Sequence, residues 1–104
     1  MKSYIIIRTF CGDKENANKI IDILLEKKLI VGAQISEVYS KYWWNNYLEE
    51  SLEYKVEFRS KLSKFNEIEK IIKENHTYKV AEISYNEING SKDFLEWIDK
   101  FVED

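Results

Sequence analysis

Val38-Tyr39-Ser40-Lys41-Tyr42-Trp43-Trp44-Asn45-Asn46 is the stretch on which the fold turns. If it is extended, Tyr42 and Trp44 share one face and Trp43 points to the other. Asn tolerates positive φ, so Asn45-Asn46 marks a turn at its end. Each aromatic carries roughly 150–250 Å² of surface. A chain of 104 residues does not easily hide all of that in one core. One face can join the subunit's own core, and the other then needs a partner subunit or a ligand.

Working outward, Val31, Ala33 and Ile35 alternate with Gly32, Gln34 and Ser36, which starts this strand well before Val38. Upstream, residues 4–10 read as a buried β-branched strand bounded by Gly12-Asp13, with Asp13 as a helix N-cap. Ala17, Ile20, Ile21, Leu24, Leu25 and Leu29 then keep the i, i+3, i+4 spacing of an amphipathic helix. Downstream, Tyr54, Val56 and Phe58 alternate with Lys55, Glu57 and Arg59 as a third strand. Phe65, Ile68, Ile71 and Ile72 form a second helical stripe, with Ser63 as its expected cap. Val80 to Ile88 is expected to be a fourth strand, and Asn89-Gly90-Ser91 a turn that caps a C-terminal helix through Phe94, Leu95, Ile98, Phe101 and Val102.

The order is βαββαβ plus a helix, in one domain spanning residues 1–104. Two right-handed βαβ crossovers sharing an antiparallel sheet give an α+β, ferredoxin-like sandwich. Helices are expected on one sheet face, leaving Lys55, Glu57, Arg59 and Glu82 on an open one.

Composition narrows the partners. A net charge of −3 with interspersed signs argues against nucleic-acid binding, which calls for a basic patch. The longest apolar run, Tyr4-Ile5-Ile6-Ile7, falls far short of the ~18 residues a bilayer needs, so no membrane span is expected. Lys2, that run and Arg8 are too short for a signal peptide, which makes the cytoplasm the expected address. A single cysteine, Cys11, excludes an internal disulfide framework. No nucleophile–base arrangement or phosphate-cradling loop is visible, so the chain is not expected to be an enzyme. Acylphosphatases share the element order, but Arg8 lies within the first strand rather than in a phosphate loop. RNA-recognition domains share it too, but would present stacking aromatics where Lys55, Glu57 and Arg59 stand.

Four blocks in order resemble the CutA divalent-ion-tolerance family. They are Lys28-Leu29 leading into Gly32-Ala33-Gln34-Ile35, then Ser40-Lys41-Tyr42-Trp43-Trp44, then His76 to Ile83, and finally Phe94-Leu95-Glu96-Trp97-Ile98. The resemblance implies a homotrimer clasped by an extended hairpin between the second and third strands. It also implies an association with tolerance of copper or another divalent cation, without an established reaction. The trimer is similar to that of PII signalling proteins, so a second reading is a sensor holding a small anionic metabolite or nucleotide between subunits. The chain departs from the family pattern in several places. The family's strand cysteine falls on Gly32, its prolines fall on Thr77 and Ala81, the first-loop proline is replaced by Cys11-Gly12, and a lysine is replaced by Arg59.

Candidate site residues follow. His76, the only histidine, falls on the family's histidine and is a candidate metal ligand, since neutral imidazole suits copper or zinc. The plainer reading is a loop histidine at the end of the second helix. Cys11 is a candidate soft donor for Cu(I), against the plainer reading of a small buried hydrophobe. Arg59 and Glu82 fall on charged positions of the family's inter-subunit cleft, where Arg could hold a carboxylate or phosphate bidentately. Tyr42, Trp44 and Tyr78 are expected to line the same cleft. Trp43 and Trp97 are expected to be packing residues.

Overall fold

The computed structural model describes residues 2–104. Four strands and three α-helices follow one another: β1 (Tyr4–Cys11), α1 (Lys14–Glu26), β2 (Gly32–Trp44), β3 (Tyr47–Lys61), α2 (Phe65–Asn75), β4 (Ser84–Ile88) and α3 (Lys92–Phe101). The strands form one antiparallel sheet in the order β2-β3-β1-β4. This is the α+β ferredoxin-like sandwich.

Local chemistry sets the boundaries. Asp13 caps α1 by accepting from the Asn16 amide at 2.7 Å, and Ser91 caps α3 by accepting from Phe94 at 3.3 Å. At the other end of α1, Lys28 takes φ 56°. Its amide donates to Leu25 and that of Leu29 to Leu24, the pairing of a Schellman turn in which glycine is the usual occupant. Ser63 does not cap α2. A 3₁₀ turn over Leu62–Lys64 intervenes, and α2 starts at Phe65 with no side-chain cap.

The core lies between the sheet and helices α1 and α2. Ile5, Ile7 and Cys11 of β1 alternate inward, as do Val56 and Phe58 of β3, against Ile20, Leu24, Ile68 and Ile72. Burying each such aliphatic side chain contributes roughly 1.5–3 kcal/mol. Thr9 points into the same layer, and its hydroxyl oxygen is buried without a hydrogen-bond partner among the described residues.

The opposite face is not fully open. Helix α3 packs on the part of it near the start of β1 and the end of β3. A Cβ placed on Gly32 would lie 3.4 Å from the indole of Trp97. There Lys61, only 3% exposed, is held by Asp104 at 2.7 Å and Asp99 at 3.0 Å. The Tyr4 hydroxyl donates to Asp99 at 3.0 Å, and Lys2 lies 3.6 Å from Asp99 and 3.8 Å from Asp104. The rest of that face carries a charged strip in which Arg8 meets Glu57 at 2.8 Å and Asn86 at 2.6 Å.

Beyond the sheet body, β2 and β3 continue as a two-stranded arm out to Trp44, opposite Tyr47. Asn45 and Asn46 close it with φ of 50° and 69°, the left-handed pair that a tight hairpin requires. The arm stretches the molecule to 44 Å, against 24 and 21 Å along the other axes. Its outer portion is largely exposed among the described residues. Trp43 and Tyr47 are each 71% exposed and Leu48 67%, so Trp43 packs against no core within the subunit.

Candidate functional site

Where the arm leaves the sheet, a cavity of about 720 Å³ opens. Strand register builds one wall. Val38 stands opposite Glu53, Ser40 opposite Ser51, and Tyr42 opposite Glu49, so these side chains share a face with Trp44. The segment after α2 supplies the other wall with Tyr78, Val80 and Glu82, and Phe10 of β1 contributes between them.

That segment is not a strand. β4 begins only at Ser84, because the chain from Asn75 onward is held by side chains rather than by a neighbouring strand. Asn16 of α1 donates to the Asn75 carbonyl at 2.9 Å and accepts from the Thr77 amide at 3.4 Å. A proline at position 77 has no N–H to offer and could not make the second bond. Tyr78 then places its ring over Gly12, where a Cβ would come within 3.1 Å, and donates its hydroxyl to Glu53 at 2.7 Å. Burial, followed by this bond to the carboxylate, pushes the Tyr78 phenol up.

His76 ends α2, its amide donating to the Ile72 carbonyl. Its Nδ1 accepts from the Tyr78 amide at 3.0 Å, so Nε2 carries the hydrogen and donates to the Phe10 carbonyl at 3.0 Å. The Cys11 sulfur lies 3.8 Å from the same Nε2. Burial lowers the His76 pKa, opposed by the Phe10 bond and the charge of Glu53. The Cys11 thiol is fully buried and is pushed up to about 11, first by burial and then by Asp13 and Glu53.

The structure therefore brings His76 and Cys11 together but leaves neither free to ligate. Both imidazole nitrogens are engaged, and the thiol is held protonated, whereas metals take thiolate and a free nitrogen lone pair. No cluster of three or more His, Cys, Asp or Glu side chains among the described residues could hold a metal ion. As arranged in the subunit, the pair does not fit a resident metal.

Of the residues expected in the cleft, Tyr42, Trp44, Tyr78 and Glu82 all line the cavity. Arg59 does not. It stands opposite Gly32, at the far end of β3, and its guanidinium donates to Gln34 at 3.1 Å. In the sequence Glu53 looks like one more charge in an alternating strand. Its position opposite Val38 is the signal that puts it on the Tyr42 face.

The model of the CutA1 divalent ion tolerance protein family matches residues 5–101. The chain belongs to that family. The divalent-cation tolerance protein CutA of Thermococcus kodakarensis is 37% identical over 101 residues, covering 94% of both chains. That of Archaeoglobus fulgidus is 36% identical over 90 residues, covering 86% of this chain and 88% of the relative. The crystal structure of CutA1 from Pyrococcus horikoshii superposes with a TM-score of 0.91 at 29% identity, over 96% of this chain and 99% of the other. The A. fulgidus structure, described as a periplasmic divalent cation tolerance protein CutA, gives a TM-score of 0.90 at 34% identity, over 99% of this chain and all of the other. No helix among the described residues is long and apolar enough to cross a membrane. The CutA1 fold is thus the frame in which this chain holds its arm and His76.

Proposed function

We propose that this chain acts as a cytoplasmic, non-enzymatic homotrimer in tolerance of divalent cations, copper foremost. The observation that carries this reading is the arm. Trp43, Tyr47 and Leu48 stand in water in the single subunit, and an apolar surface of that kind is normally covered by a partner. Family membership supplies the cation relation, and the resemblance supplies the number three. A lone, unpaired thiol at Cys11 suits a reducing compartment.

Copper contact in this reading is weak and exchangeable rather than resident, because His76 and Cys11 are spent on internal contacts. The anionic-metabolite reading is less well supported, since within the subunit Arg59 donates to Gln34 and lies apart from the cavity that Tyr42, Trp44 and Glu82 share. Native mass spectrometry tests the proposal. The expected species has three times the 12.5 kDa chain mass, persists after chelation, and keeps well under one copper per chain after desalting. A monomer at micromolar concentration would refute the assembly. One retained copper per chain, lost in His76→Ala, would instead establish a resident site.

A further inference from the structure

Glu53 is 7% exposed and is the only buried carboxylate among the described residues. One of its oxygens accepts from Tyr78, and no lysine, arginine or histidine nitrogen of the described residues comes within 4.0 Å of it. The fold treats its other buried charge differently: Lys61 has two carboxylates on it. A buried charge without a counter-ion is costly, and proteins normally pair it. The wall around Glu53 is aromatic, and Glu49 and Glu82 add negative charge to the same cavity. Of the two lysines there, Lys41 is drawn to Glu50 at 3.4 Å.

We propose that this cavity is a receptor for an organic cation, an ammonium or guanidinium group, seated on the rings of Tyr42, Trp44 and Tyr78 with Glu53 as its counter-ion. Aromatic faces attract such cations, and a buried carboxylate completes the charge. The cavity is in the size range of small-molecule sites. A hard divalent ion is the poorer fit, since it asks for six or more oxygens or its own waters, and copper or zinc asks for nitrogen and sulfur. An anion would meet three glutamates. The cation comes either from a free small amine or from a lysine or arginine of a second copy of this chain. The inference stands independently of copper.

The test uses the whole chain with agmatine, which carries both an ammonium and a guanidinium group. Calorimetry and sedimentation velocity are run on the wild type, Glu53→Gln and Tyr42→Leu. Saturable agmatine binding, weakened at least tenfold in Glu53→Gln with the assembly mass unchanged, supports a free amine. No agmatine binding, with self-association weakened at least tenfold in Glu53→Gln, supports a basic side chain of a second copy. Tyr42→Leu, at a partly exposed position, is expected to weaken the same process several-fold. If Glu53→Gln changes neither process, the proposal is overturned. Should that variant not fold, an unchanged Tyr42→Leu overturns it equally.

Discussion

His76 donates from Nε2 to the backbone carbonyl of Phe10 at 3.0 Å, tying the end of α2 to the end of β1. Because Nδ1 is occupied by the Tyr78 amide, the neutral ring alone satisfies both neighbours. Protonation would put a hydrogen on Nδ1 and set it against that amide.

The bond has a consequence for pH. The folded-state pKa of His76 is lowered, mainly by burial, so between that value and the ordinary ~6.5 the unfolded chain binds more protons. Stability is therefore expected to rise with pH across this window, reach its full value above about pH 7, and fall as the pH drops below ~6.5. His76 is the only histidine, so the slope belongs to it. Urea unfolding between pH 5 and 7.5 is expected to show the slope in the wild type and lose it in His76→Gln. His76→Ala is expected to cost about 1–3 kcal/mol at pH 7.5 by leaving the Phe10 carbonyl unpaired.

Thr9 carries a buried hydroxyl oxygen with no partner among the described residues. Thr9→Val keeps the shape and removes the unsatisfied group, so it is expected to stabilise the fold by about 1 kcal/mol. The midpoint of chemical denaturation should rise with an unchanged m-value. A fall would mean that the hydroxyl is satisfied in solution.

Lys28 holds a left-handed backbone angle at the end of α1. Glycine adopts that angle freely, while an L side chain is strained there. After the extra freedom that glycine gives the unfolded chain is subtracted, Lys28→Gly is expected to stabilise by about 0.5–1 kcal/mol. Thermal melting reads the gain directly, and a lowered midpoint would argue that the Lys28 stem packs usefully.

Much of this architecture is legible in the residues. Period-2 alternation marks β1 and the inner part of β3, Asp13 and Ser91 announce their helices, and Asn45-Asn46 announces the hairpin. Tyr42, Trp44, Tyr78 and Glu82 stand out in the sequence and line one cavity of the subunit. What escaped depends on tertiary neighbours. The stripe on α3 says that a face is buried but not against what, so its place on the supposedly open face is invisible. Ser63 is a good cap residue one position too early, because the 3₁₀ turn delays α2 and leaves Lys64 at its N-cap. The separation of Arg59 from the cavity wall within the subunit is set by strand register, which puts Arg59 opposite Gly32 and Tyr42 opposite Glu49. Glu53 becomes unusual only once burial and the absence of a cation are known together.

Lys61 gathers Asp99 and Asp104, and Lys2 and Tyr4 reach the same carboxylates, so residues near both limits of the described chain meet at one ammonium. A covalent bridge closing a loop of about 100 residues would restrict the unfolded chain by about 4.7 kcal/mol. This protein has one cysteine and no means of making such a bridge within itself. Its closure is ionic and reversible, which makes it a belt whose buckle answers to acid and salt where a disulfide would answer to reductant.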